Sequence, residues 1–193
     1  MKRVSVYCGA ETGKDPAYLE ATERLGHALA RRGLGLVYGG GGIGLMGTLA
    51  DAVLSDGGEA IGVMPRWLVE KEIAHRGLAE LHVVDSLHVR KAMMIELADG
   101  FIGLPGGLGT LEEFAEAWTW GKLGQHDKPC GLLNVRGFYD HLLAFVEHGV
   151  AEEFIWPPHR AMLLVADTPE ELLDRFVAYQ PPPAKRPPAA SPS

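Results

Sequence analysis

Short apolar runs alternate with longer amphipathic stretches along this chain, and this alternation constrains the fold more than any other feature. The runs that read as strands are Arg3–Tyr7, Gly35–Tyr38, Glu59–Met64, Leu81–Val84, Gly100–Leu104, Gly131–Asn134 and Leu163–Val165. The stretches that read as helices are Ala17–Arg32, Leu45–Asp56, Leu87–Ala98, Leu111–Leu123, Phe138–His148 and Pro169–Ala178. Glycine or proline stands at most of the joins, where a strand must turn into a helix. Repeated strand–helix–strand units require crossovers, which make neighbouring strands parallel and place helices on both faces of the sheet. The expected fold class is α/β, one domain over residues 1–180. With 193 residues, 47% of them hydrophobic, the chain has enough apolar side chains for a sizeable core. From Pro181 onward the sequence PPPAKRPPAASPS holds no apolar side chain larger than alanine. It is expected to be a disordered proline-rich tail.

Charge and cysteine content narrow the function. Eighteen Lys and Arg against 25 Asp and Glu give a net charge of −7. No basic stripe is present to release phosphate counterions, so no nucleic-acid partner is expected. Cys8 and Cys130 lie on apolar runs and read as core thiols, with a redox pair as the alternative; they form neither a metal-ligand cluster nor a disulfide framework. None of the eight histidines has zinc-ligand spacing, and no metal is expected. The start, MKRVSVY, is too short and interrupted for a signal peptide, and no apolar run approaches membrane-spanning length. The expected location is the cytoplasm, without membrane contact.

In an open parallel sheet, ligands bind beyond the carboxyl ends of the strands. Three glycine-rich turns are expected at that edge: Gly9–Gly13, Gly39–Gly47 and Gly103–Gly109. The second contains G-x-G-x-x-G spacings, but with six glycines in nine residues such matches arise cheaply. A dinucleotide fingerprint also needs an acidic residue at the end of the following strand. Glu59 begins its strand instead, so NAD is rejected. Gly39–Gly47 therefore serves either anion approach or tight strand–helix packing. The third turn, Pro105-Gly106-Gly107-Leu108-Gly109-Thr110, sits between an apolar strand and a helix. Its glycines free several amides to face one oxyanion, and the helix dipole adds positive character. No lysine follows the last glycine as in a Walker loop, which disfavours triphosphate chemistry with magnesium.

Charged side chains cluster near that turn. Thr110-x-x-Glu113 fits a capping box, which by itself explains Glu113. Leu111, Phe114, Ala115 and Trp118 form an apolar stripe expected to face the sheet, leaving Glu112, Glu116 and Thr119 on a polar face. Such an acidic face beside a phosphate loop calls for positive charge, and an oxocarbenium-like ribose supplies it at a transition state. His88-Val89-Arg90-Lys91 puts two cations near a helix start, against the dipole, so an anion is expected to compensate them. Glu96 or solvent is the bland candidate.

Gly40-Gly41-Gly42-Ile43-Gly44-Leu45-Met46-Gly47, His88-x-Arg90-Lys91 and Pro105-Gly106-Gly107-x-Gly109-Thr110-x-x-Glu113 together resemble the Lonely Guy family. Its members are cytokinin riboside 5′-monophosphate phosphoribohydrolases, many long mislabelled as lysine decarboxylases. The resemblance runs from Val4 to about Val177. It implies a Rossmann-like fold, a homodimer, and neither metal nor organic cofactor. It also implies hydrolysis of the N-glycosidic bond of an adenine-type nucleoside 5′-monophosphate, AMP or N6-modified AMP, to free base and ribose 5-phosphate. Arg90 and Glu113 match the family's catalytic arginine and glutamate. Glu72, Arg90, Lys91, Gly106, Gly107, Leu108, Gly109, Thr110, Glu112 and Thr119 fall where the family contacts substrate. Leu87 and Ala10-Glu11 depart from the usual residues before the histidine and in the first loop.

Two rival functions remain at this point. A nucleotide- or cofactor-binding carrier of the same fold uses the same glycine loops without turnover. Lysine decarboxylation needs pyridoxal phosphate on a lysine with an acidic partner, and no lysine here has that context.

Overall fold

The computed structural model describes residues 1–69 and 74–182. The elements in chain order are β1 (Arg3–Tyr7), α1 (Pro16–Arg31), β2 (Gly35–Tyr38), α2 (Gly44–Ser55), β3 (Ala60–Pro65), α3 (Arg66–Val69), β4 (Glu80–Val84), α4 (Leu87–Leu97), β5 (Phe101–Gly103), α5 (Leu108–Lys122), β6 (Cys130–Leu133), α6 (Asp140–Ala151), α7 (Pro157–Ala161), β7 (Leu163–Ala166) and α8 (Pro169–Val177). A 3-10 turn at Val135–Gly137 follows β6. The tail beyond Pro182 lies outside the described residues.

The strands form one seven-stranded sheet in the order β4-β3-β2-β1-β5-β6-β7, with every pairing parallel. The chain winds outward from β1 in one direction and then, starting again beside β1 with β5, in the other. The order therefore reverses between β1 and β5, which opens a crevice at their carboxyl ends.

Alternating side chains build two cores, one on each face. Val4, Val6, Leu36, Tyr38, Ile102 and Leu104 meet Leu25 and Leu29 of α1, Leu49 and Val53 of α2, and Leu172 and Phe176 of α8. Tyr7, Val37, Val63 and Phe101 point the other way, against Met94 and Ile95 of α4 and Phe114 and Ala117 of α5. This is the two-sided cover expected for a parallel sheet.

Two local expectations are corrected. Helix α5 begins at Leu108, three residues before the predicted start, because Gly107 rather than a polar side chain stands at its N-cap. Its buried stripe is Thr110, Phe114, Ala117 and Gly121. Leu111 faces outward, so the apolar stripe predicted from Leu111 is rotated by about one residue. Cys8 and Cys130 are both free and buried. Cys8 follows the carboxyl end of β1, whereas Cys130 opens β6 at the opposite edge, so they form no redox pair.

Candidate active site

A cavity of about 580 Å³ occupies the crevice between β1 and β5. Residues from all three glycine turns line it: Gly9 to Gly13 after β1, Gly39 after β2, and Pro105, Gly106, Gly107 and Gly109 after β5. Its volume falls within the range of roughly 300–1,000 Å³ typical of small-ligand pockets.

The turn after β5 is held from both sides. Leu104 N donates to Tyr7 O at 2.9 Å, Tyr139 Oη donates to Leu104 O at 2.5 Å, and Gly9 N donates to Pro105 O at 3.1 Å. Thr110 is buried, and its hydroxyl lies so close that a Cβ on Gly106 would meet Oγ1 at 2.2 Å. Gly107 and Gly109, in contrast, face open space. With a glycine N-cap and no side-chain cap, the first amides of α5 are left facing the cavity. Free amides and the helix dipole give that end of the helix partial positive character.

The earlier helix start also decides the role of Glu113. Thr110 sits inside the first turn instead of at the cap, so the capping box does not form. Glu113 turns into the cavity and meets Arg90, with Nη1 and Oε1 2.8 Å apart and both side chains only about an eighth exposed (12% and 13%). Arg90 is fixed further by donation from Nε to Val63 O at 2.9 Å. Its Nη2 lies against Gly39, where a Cβ would stand only 2.1 Å away. Burial pushes the Glu113 carboxyl above its ordinary value, Arg90 pulls it down, and Glu112 and Glu116 push it up again. Tyr7 and Cys8 also line this wall, and burial raises both.

The anion expected for the cationic pair is therefore not Glu96. Arg90 takes Glu113, while Lys91 is held by Glu112 and by Glu116, the latter at 2.5 Å. The same contacts answer the acidic face of α5. Its compensating cation comes from the neighbouring helix α4.

The sequence-predicted residues thus divide into two sets. Arg90, Gly106, Gly107, Gly109, Thr110 and Glu113 converge on the cavity. Lys91, Leu108, Glu112 and Thr119 lie outside its lining, with Leu108 86% exposed, and Glu72 lies outside the described residues. Sequence reasoning missed Tyr18, Met46 and Phe138, which supply apolar wall. Tyr18 and Phe138 meet edge to face, with ring centroids 5.7 Å apart, although far apart in sequence. Only a three-dimensional contact reveals that pair. Gly39 was legible as a glycine, but the cation it accommodates was not. Glu59 pairs with Arg3 at the opposite edge, as the rejection of NAD requires. Among the described residues no group of three or more His, Cys, Asp or Glu could hold a metal, and no helix is long and apolar enough to cross a membrane.

Fold and site define a class: a Rossmann-like α/β protein whose main cleft lies at the topological switch point, with an uncapped helix start beside a buried arginine–carboxylate pair. The family described as "Possible lysine decarboxylase" matches residues 46–176. A probable cytokinin riboside 5′-monophosphate phosphoribohydrolase of Oryza sativa subsp. japonica is 47% identical over 180 residues, covering 93% of this chain and 72% of the relative. A cytokinin riboside 5′-monophosphate phosphoribohydrolase of Rhodococcoides fascians is 52% identical over 165 residues, covering 85% of this chain and 83% of the relative. The chain belongs to the Lonely Guy family. Among solved structures, the molybdenum cofactor binding protein of Rippkaea orientalis shares the fold at 22% identity, with a TM-score of 0.70 over 92% of this chain and 96% of its own. The molybdenum cofactor carrier protein of Chlamydomonas reinhardtii does so at 18%, with a TM-score of 0.69 over 92% and 99%.

Proposed function

We propose that the protein hydrolyses the N-glycosidic bond of an adenine-type nucleoside 5′-monophosphate, AMP or an N6-modified AMP, releasing the base and ribose 5-phosphate. The observation that carries this reading is the buried Arg90–Glu113 pair in the same cavity as the uncapped start of α5. The names of the relatives agree with it.

The amides at the start of α5, from Gly107 to Thr110, take the 5′-phosphate. This remote binding orients ribose C1′ toward Glu113. As the glycosidic bond lengthens, positive charge grows on the ribose. Ionised Glu113 stabilises that charge and directs, then deprotonates, the attacking water. The water oxygen forms the new bond to C1′, and the bonding electrons leave with the base, which gains a proton. Arg90 holds the Glu113 carboxylate in place and balances charge on the departing base; a guanidinium makes a poor proton donor.

Incubating pure protein with AMP and separating the products by chromatography tests the reaction directly. Adenine must appear with wild-type protein, and Glu113→Gln must lower its release by about 10²–10⁴-fold while AMP binding persists. AMP binding without any adenine would instead favour a carrier. Wild-type turnover by Glu113→Gln would remove that residue from the mechanism.

The working form is read as a cytoplasmic homodimer. The exposed leucines Leu108 and Leu111 beside the cleft support association. Light scattering on the purified chain tests it, with a monomer at micromolar concentration counting against it.

A further inference from the structure

Lys91 follows Arg90 on α4, yet its side chain does not line the cavity. Only 7% exposed, it directs its ammonium to Glu112 Oε1 and, at 2.5 Å, to Glu116 Oε2. Those two glutamates stand one helical turn apart on α5, with Glu113 between them in sequence. Helices α4 and α5 are therefore clasped at two neighbouring points, Arg90 to Glu113 and Lys91 to Glu112 and Glu116. A phosphate drawn to Lys91 would have to compete with two carboxylates already on the same ammonium. Substrate contact is the role the family pattern implies for Lys91; these ion pairs give it a structural role besides.

We propose that Lys91 is a positioning residue: by gripping Glu112 and Glu116 it registers α5 against α4 and neutralises the two carboxylates that would otherwise oppose an ionised Glu113. This rests on Glu113 being the reactive carboxylate described above.

Three carboxylates within five residues cannot all ionise near one another without compensating cations. The charged groups acting on Glu113 are Arg90 and Lys91 from α4 and Glu112 and Glu116 from α5, while the titratable Tyr7 and Cys8, from β1 and the turn after it, line the same wall and feel the Glu113 charge. Lys91 draws the Glu113 carboxyl down, while Glu112 and Glu116 raise it. Burial alone lowers the Lys91 ammonium, but its two carboxylates overturn this and hold it above the ordinary lysine value. Removing the cation would expose Glu113 to both flanking negative charges.

The test follows the carboxyl carbon of Glu113 by NMR titration of the full chain carrying 13C-labelled glutamate, with Glu113→Gln to identify the signal. Lys91→Met should raise the midpoint by about one pH unit. Lys91→Arg should leave it in place, and the triple variant K91M/E112Q/E116Q should return it close to the wild-type value. The double variant E112Q/E116Q keeps the cation and should lower the midpoint, which preserves the test if Lys91→Met does not fold. With AMP, the acidic limb of kcat/KM should move with the midpoint. An unmoved midpoint in Lys91→Met, or in the double variant, overturns the assignment. So does a raised KM with an unmoved acidic limb, the signature of substrate contact. The midpoint is read without substrate, so a wild-type protein that fails to cleave AMP refutes the reaction alone.

Discussion

Gly39→Ala separates the site from the fold. Gly39 is not among the glycines in the left-handed region, so alanine can take its backbone conformation. The obstacle is Arg90, because the new methyl would lie 2.1 Å from Nη2 and 3.2 Å from Met46 Sδ. The guanidinium must retreat by more than about 1 Å to restore an ordinary contact of roughly 3.5 Å. Its bond to Glu113 is only 2.8 Å long, and Nε is tied to Val63 O, so the retreat breaks or bends the ion pair. A misplacement of about 1 Å costs roughly 10²-fold in rate, or about 2.7 kcal/mol in the barrier. The assay is kcat/KM for adenine release, paired with thermal unfolding of the same preparation. The same substitution in an Arg90→Ala background should cost almost nothing more, because the two changes act on one group. Activity within twofold of wild type, or equal losses in both backgrounds, would refute the reasoning.

Other consequences follow from the same contacts. Burial raises the Glu113 carboxyl, and catalysis needs it ionised, so the acidic limb of kcat/KM should lie above the ordinary glutamate value of about 4.3. A limb at or below that value would contradict the assignment. Tyr139→Phe leaves the buried Leu104 carbonyl without its phenol donor and should cost about 1–3 kcal/mol in a denaturant titration; no change would show that the bond is dispensable. Glu59, hydrogen-bonded to Arg3, and Asp99, hydrogen-bonded to the Lys2 and Arg3 amides, titrate below their ordinary values. Their contribution is present above the unfolded carboxylate values of about 4 and is lost as pH falls through the lower folded ones. Glu59→Gln should therefore flatten the fall in melting temperature on acidification, and an unchanged slope would count against it. Burial raises both thiols, so Cys8 and Cys130 should react slowly with a disulfide reagent at pH 8 until the chain unfolds.

The alternation of apolar runs was enough to locate the strands, because parallel strands buried on both faces leave a continuous signal. Leu163 and its neighbours mark β7 as plainly as Val4 and Val6 mark β1. Element ends were harder. The sequence pattern places the start of α5 three residues late, because a glycine cap leaves no polar signature and Thr110-x-x-Glu113 imitates a capping box. That shift had a chemical consequence: it freed Glu113 from local capping and turned it toward Arg90. The short helices α3 and α7 and the Tyr18–Phe138 contact arise from tertiary packing, which periodicity does not encode. Likewise, the ionic partners of Arg90 and Lys91 lie on the next helix, beyond the reach of spacing within one helix. The glycine turns were the most readable part of the site, since a backbone that other groups approach closely has to dispense with side chains, as Gly39 does beside Arg90 and Gly106 beside Thr110.

A crystal of the Glu113→Gln variant soaked with AMP measures the central claim most directly. The phosphate should rest on the amides from Gly107 to Thr110, with ribose C1′ facing residue 113 and Arg90 still beside it. A nucleotide bound elsewhere, or turned so that its base meets the start of α5 and its sugar lies far from residue 113, would contradict the account.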